Sequence, residues 1–309
     1  MLFLPLIWLL SLSVQMLPIT VARYILQGIR RVFAPSFIEF FFEETFCAVL
    51  KPRGLFVETR ELLVERRVSI RVSLEMGDYI QRHFFLAGYP DFTAALLDFC
   101  DAETLFFDIG ANVGLISLAV ATKVPSNQIH AFEPIETTFR RMEENFARNE
   151  RSIYAWKLAM SNFTGPIEFG ALTHDSGSAS AAVDYLGSRT NQLVERVKCE
   201  AKTFDQWWNE VPEADKVPAC RVAMKIDVEG FEREVVAGMK DFLANAASEI
   251  LVICETHWDN RNDILGVFKM AGFQLMESTA DILDDRFKFG SARDLQFRRS
   301  ARKDAALLQ

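Results

Sequence analysis

Three acidic residues stand where an apolar, strand-like run gives way to a turn: Asp108 in LFFDIGANVG, Glu133 in QIHAFEP and Asp227 in MKIDVEGFE. Open α/β sheets hold their ligands beyond the carboxyl ends of the strands, so acids placed there face the ligand rather than the core. Glu133 falls 23 residues after Gly110, the separation at which an acid ending the second strand can accept both hydroxyls of a ribose. The turn between them is not a dinucleotide fingerprint. With Gly110 set on the second glycine of GxGxxG, Asp108 and Val113 occupy the other two glycine positions. A phosphate loop of the form GxxxxGK[ST] does not occur in the sequence. What remains is DxGxxxG, and a carboxylate at Asp108 would repel a phosphate while attracting a cation. That favours S-adenosylmethionine, which carries an ammonium and a sulfonium, over NAD or ATP. Taken singly, Asp108 could be a helix N-cap and Glu133 a solvated strand end. The two together, at this spacing, favour the functional reading, although NAD sites use the same acid.

A second group lies further along the chain. Asp227 ends the fourth apolar strand and could hold an acceptor hydroxyl, a cofactor ammonium or a cation. Glu229 reads equally as catalytic or as a first-turn acid favoured by the helix dipole. Glu255 and His257, in CETHWDN, end the fifth strand at the same rim. An unperturbed imidazole changes charge near neutrality, so a histidine at position 257 could take the proton from a hydroxyl as a methyl group arrives. Two acids and a histidine resemble a weak oxygen-ligand metal site, but no metal motif accompanies them and none is expected. His174 is a weaker candidate, and His83 and His130 read as structural. Methyl transfer needs no nucleophilic serine or cysteine, because the sulfonium already activates the methyl group and positioning supplies most of the acceleration.

The elements that must hold these groups follow from the apolar pattern. Strands are expected at Leu105 to Asp108, Gln128 to Glu133, Tyr154 to Ala159, Ala223 to Asp227, Glu249 to Glu255, Phe273 to Glu277 and Leu295 to Arg298. Helical stretches alternate with most of them, which implies a parallel sheet wrapped by helices. Between the third and fourth strands, PIEFGAL and VKCEAKTF read as antiparallel strands joined by a Ser/Gly/Ala-rich loop, an insertion in that rhythm. In the helix after Asp227, Phe231, Val235, Met239 and Phe242 fall on a core face, with Glu232, Arg233 and Lys240 towards water. Ahead of the domain, Val68, Ile70, Val72 and Leu74 alternate as in a half-buried strand.

The chain has 309 residues with a formal net charge of −8 and pI near 5.2, which argues against a nucleic-acid partner. Cys47, Cys100, Cys199, Cys220 and Cys254 never fall as CxxC and read as reduced, mostly buried residues. From Met1 to Ala22 there is no charged side chain, and Arg23, Arg30 and Arg31 follow. That pattern gives a segment able to span or lie on a membrane, with the remainder on the cytoplasmic side. A soluble cytoplasmic chain is the alternative. The expected organisation is a hydrophobic segment over 1–50, a lead-in over 51–104, a catalytic domain over 105–300 and a tail over 301–309.

FDIGANVGLISLAVA, AFEP, LAMSNFTGPIEF, DSGSAS, VKCEAKTFDQWW and above all MKIDVEGFEREVVAG resemble successive blocks of the FkbM-type S-adenosylmethionine-dependent methyltransferases, from about Met76 to Arg299. The resemblance implies a Rossmann-like class I methyltransferase fold with a seven-stranded sheet, and O-methylation of sugar or polyketide hydroxyls. By position it puts Asp108, Gly110, Asn112 and Gly114 along the methionine part of the cofactor and Glu133 at its ribose. Met160 and Ser161 would lie beside the adenine, with Asn162 the nearest match to the acid or amide that commonly meets the adenine amine. The acceptor would be a hydroxylated small molecule or glycan. An N-methyltransferase, an NAD(P)-dependent oxidoreductase and a non-catalytic methyltransferase-like protein remain as alternatives.

Overall fold

The computed structural model describes residues 57–301, apart from 65–67, 76–77, 79, 82–83, 85–88, 91, 173–174, 181–193, 214–215, 217–218, 258–259 and 277–291. The hydrophobic N-terminal segment expected to associate with a membrane lies outside the described residues. Among the described residues no helix is long and apolar enough to cross a membrane.

The chain enters through an antiparallel hairpin, β1 (Val57–Val64) and β2 (Val68–Glu75), and helix α1 (Phe92–Phe99). Ile70, Val72 and Leu74 of β2 are buried as their alternation predicts. The domain then alternates β3 (Thr104–Ile109), α2 (Leu115–Val120), β4 (Ile129–Phe132), α3 (Glu136–Arg148) and β5 (Tyr154–Trp156). A second sheet follows, built from β6 (Ala159–Ser161), β7 (Gly165–Leu172), β8 (Asp175–Ser180) and β9 (Val194–Thr203). The first sheet resumes through α4 (Phe204–Glu210), β10 (Arg221–Ile226), α5 (Glu232–Ala237), α6 (Lys240–Asn245), β11 (Glu249–His257), α7 (Arg261–Met270), β12 (Gln274–Leu275) and β13 (Ala292–Arg299).

The main sheet has seven strands in the order β12-β13-β11-β10-β3-β4-β5. The pairs from β11 to β5 are parallel, while β13 runs antiparallel to both β11 and β12. This is the class I methyltransferase arrangement, with the strand order reversing beside β3, where open sheets bind their ligands.

Parallel strands in such a sheet are apolar on both sides, and all six residues of β3 are buried. Phe106 packs into one core layer with α1, α2 and α3. Phe107 packs into the other, beneath α4 to α7. Each fully buried phenylalanine contributes about 1.5–3 kcal/mol.

Two expectations need correction. The third strand is not continuous to Ala159, because the chain leaves the main sheet after Trp156 and Ala159–Ser161 pairs instead with β9. The Ser/Gly/Ala-rich stretch is also not all loop: Asp175–Ser180 forms β8 and pairs with β7. Small residues suit strands in close pairing as well as turns, and composition alone did not separate the two.

Candidate active site

The turn after β3 is held from both sides. The Gly110 and Ala111 amides donate to the Phe132 carbonyl at 3.1 and 2.9 Å, and the Asp227 amide donates to the Ile109 carbonyl at 3.1 Å. Gly110 has φ 77°, and a Cβ there would lie 1.9 Å from the Asp227 carbonyl oxygen, so a side chain is excluded by both conformation and space. The turn therefore passes hard against the end of β10. A cavity opens over this crossing, lined by Gly110 and Asn112 of the turn, Glu133 beyond β4, Lys225 and Asp227 of β10 and its loop, and Glu255 of β11.

Glu133 stands just past the end of β4 and lines the cavity. Its carboxylate accepts from the Asn112 amide at 3.1 Å and the Ile135 amide at 2.9 Å, so this cavity-lining acid also braces the glycine turn. Burial pushes its carboxyl up to about 7, against the opposing pull of those two amides. Apolar walls flank it, formed by Pro134, Ile135 and Met160.

Asp108 differs from its expected role. It lies within β3 rather than at its tip, is fully buried, and does not line the cavity. Ser117 donates to its Oδ2 at 2.6 Å and the Lys225 ammonium stands 3.6 Å from its Oδ1. Burial raises its pKa, and the lysine and serine offset part of that rise. Gly114 also stands away from the cavity. A Cβ there would lie 2.5 Å from Phe146 Cε1, so this glycine, at φ 83°, admits the close approach of α3.

Ser161 is buried in β6 with its carbonyl against Gly238, and Asn162 is exposed beyond it; neither lines the cavity. The adenine-side residues assigned by position thus reduce to Met160. The chain has already turned into the second sheet by Ser161.

The acids of β10 and β11 do converge. Oxygens of Asp227, Glu229 and Glu255 lie within 4.8 Å of one another at the cavity wall. Like charges this close favour a cationic ligand between them. Glu229 sits at φ 54° in the loop before α5, not in the helix's first turn. His257 ends β11 beside Ala292, and its side chain lies outside the described residues, as do His83 and His174 entirely. His130 is structural: it stacks on Tyr154 at 4.9 Å, accepts from Trp156 Nε1, and burial pushes its pKa down to about 4.

Two contributors escaped the sequence reading. Lys225 was visible as a break in an apolar strand, and such a lysine must find counter-charges. It finds Asp227 at 3.2 Å and Asp108, and donates to the Gly110 carbonyl at 2.8 Å. Burial alone would lower its pKa, but the two carboxylates outweigh that and hold it above its ordinary value. The other is Glu232, expected on the water face yet fully buried. It accepts from the Val228 and Gly230 amides at 3.1 and 3.0 Å, and from Asn260 at 3.1 Å, so it shapes the loop that carries Asp227 and Glu229.

Residues 108–284, more than half of the chain, match the model of the methyltransferase FkbM domain. The chain belongs to the FkbM methyltransferase family. It is accordingly an S-adenosylmethionine-dependent methyltransferase. Among its relatives is the hexuronic acid methyltransferase AglP of Haloferax volcanii, 28% identical over 61% of this chain and 71% of that protein. Methyltransferase 1 of Beauveria bassiana is 23% identical over 59% of this chain and 72% of its own length. A solved methyltransferase FkbM from Methylobacillus flagellatus covers 68% of this chain and 46% of its own at a TM-score of 0.39 and 14% identity.

Proposed function

We propose that this methyltransferase moves the methyl group of S-adenosylmethionine to a hydroxyl oxygen of a glycan or small molecule, in the cavity above β4, β3, β10 and β11. The observation that carries this reading is Glu133, a buried carboxylate at the cavity wall with its two backbone donors in place. The residues present fit the cofactor. Glu133 would take the ribose hydroxyls, Pro134, Ile135 and Met160 supply apolar faces for the adenine, and Gly110 and Asn112 form the wall along the methionine part. Three inter-strand spacings make the cavity span roughly 14 Å, enough for an extended cofactor and part of an acceptor.

When bound, the cofactor supplies an activated methyl group on a sulfonium. The chain's task is to bring an oxygen into line with it and to exclude water. Asp227, beside Glu229 and Glu255, is placed to hold the cofactor's ammonium or the acceptor hydroxyl. Phe84, Phe92 and Phe231 give the cavity an apolar side that keeps water from it. His257, at the end of β11, is the proposed base for the departing hydroxyl proton, a step worth about 10² to 10⁴ in rate. The similarity to a hexuronic acid methyltransferase supports a sugar oxygen over an amine.

Calorimetry of the full chain with S-adenosylhomocysteine, NAD and ATP tests the cofactor assignment: heat is expected with the first alone. Transfer of labelled methyl to a panel of neutral sugars, hexuronic acids and amines then tests the acceptor. Label on nitrogen, or no heat with S-adenosylhomocysteine from a folded sample, would sink the reading.

A further inference from the structure

We propose that Lys225 is a positioning residue, whose ammonium ties the Gly110 turn and the Asp227 carboxylate into the one geometry that receives the methionine end of the cofactor. This rests on the cofactor reading above. No other lysine is buried among the described residues. An interior ammonium costs several kcal/mol unless its partners repay it, and an apolar side chain between Met224 and Ile226 would carry no such cost. Lys225 is therefore poorly explained by packing.

Its partners come from three segments that have to meet. Asp108, at 3.6 Å, belongs to β3; the Gly110 carbonyl, at 2.8 Å, belongs to the turn; Asp227, at 3.2 Å, follows β10. The parallel register sets Lys225 beside Asp108, so the first of these contacts is fixed by strand pairing. Gly110 and Asp227 line the cavity, whereas Asp108 lies beneath it. One ammonium thus converts a buried charge into the placement of two cavity groups.

The turn shows why this matters. Its amides are already committed to the Phe132 carbonyl, on the β4 side. Lys225 holds the Gly110 carbonyl from the β10 side. The same ammonium engages Oδ2 of Asp227, leaving Oδ1 for a cationic or hydroxylated ligand. Without it, the Asp227 carboxylate and the Gly110 carbonyl would lose their common tie, and only the Asp227 amide on the Ile109 carbonyl would hold the turn from the β10 side.

The test is a double-variant cycle on the full chain: wild type, Lys225→Met, Asp227→Asn and the pair, each measured for S-adenosylhomocysteine affinity and thermal midpoint. Lys225→Met is expected to weaken binding about tenfold or more. The pair should lose less than the product of the two single losses, because the lysine acts partly through Asp227. Affinity within about twofold of wild type in a folded Lys225→Met protein, or independent multiplicative losses, overturns the proposal. Should Lys225→Met fail to fold, the wild-type protein labelled with ¹⁵N-lysine carries the test. A protected ammonium resonance is expected to move on adding S-adenosylhomocysteine, and one that stays in place overturns the proposal. No binding by wild type overturns the cofactor reading itself, and this inference with it.

Discussion

Asp108 on β3 and Glu133 just beyond β4 are buried acids on neighbouring strands, and only Glu133 faces the cavity. The difference lies in strand length and in what satisfies each charge. β3 runs one residue past Asp108, and the pleat turns that side chain towards Lys225 and Ser117. β4 ends at Phe132, so Glu133 leaves the sheet and meets backbone amides of two loops. A carboxylate paired with a fixed ammonium serves the architecture. One held only by amides keeps room for hydroxyl donors from a ligand.

The largest effect that would sharpen this contrast is on stability. Asp108→Ala removes a partner of a buried ammonium and is expected to cost about 3 kcal/mol in denaturant unfolding. Wild-type stability in that variant would mean that Asp108 does not belong to a buried charge group.

Glu133→Gln should act on binding instead, losing about 1.5–3 kcal/mol of S-adenosylhomocysteine affinity, or roughly tenfold to a hundredfold. The same residue sets a pH dependence. With its folded pKa raised from 4.5 to about 7, Glu133 favours the protonated form in the folded chain. Its contribution to stability is therefore full below 4.5 and is lost as pH rises through 7. Ligand affinity runs the other way, since ribose hydroxyls need the ionised carboxylate. It should climb by up to about tenfold per pH unit below 7 and level off above. Calorimetry from mildly acidic to mildly alkaline pH reads this directly, and a flat profile in wild type would break the contrast between the two acids. Glu133→Gln should flatten it.

The smallest expected effect is none. Asn162→Ala should leave S-adenosylhomocysteine affinity within about twofold, because Asn162 is exposed and does not line the cavity; a larger loss would return it to the adenine.

Much of this was legible in order along the chain. The apolar runs around Phe106, Val222 and Leu251 announced parallel strands, because a strand buried on both faces reads as a near-continuous apolar run. Gly110, Glu133 and Asp227 could be read as site residues because strand ends in such sheets converge on one edge. The repeated small residues of DSGSAS gave no comparable signal, and β8 went unread. Glu232 was misread for a related reason: helical spacing places residues on a face, but it does not register a loop that needs an acceptor for its amides.

What the sequence determined by itself was the order of the main-sheet strands along the chain, the family and the set of acids available at the strand ends, since all three follow from local pattern and spacing. The tertiary structure decided which of those acids lines the cavity. Strand register, the pleat and the crossing of the Gly110 turn over β10 leave Asp108, Gly114, Ser161 and Asn162 out of the cavity lining and put Lys225 in it. Those are contacts between residues more than a hundred positions apart, such as Lys225 and Gly110, and no local spacing encodes them.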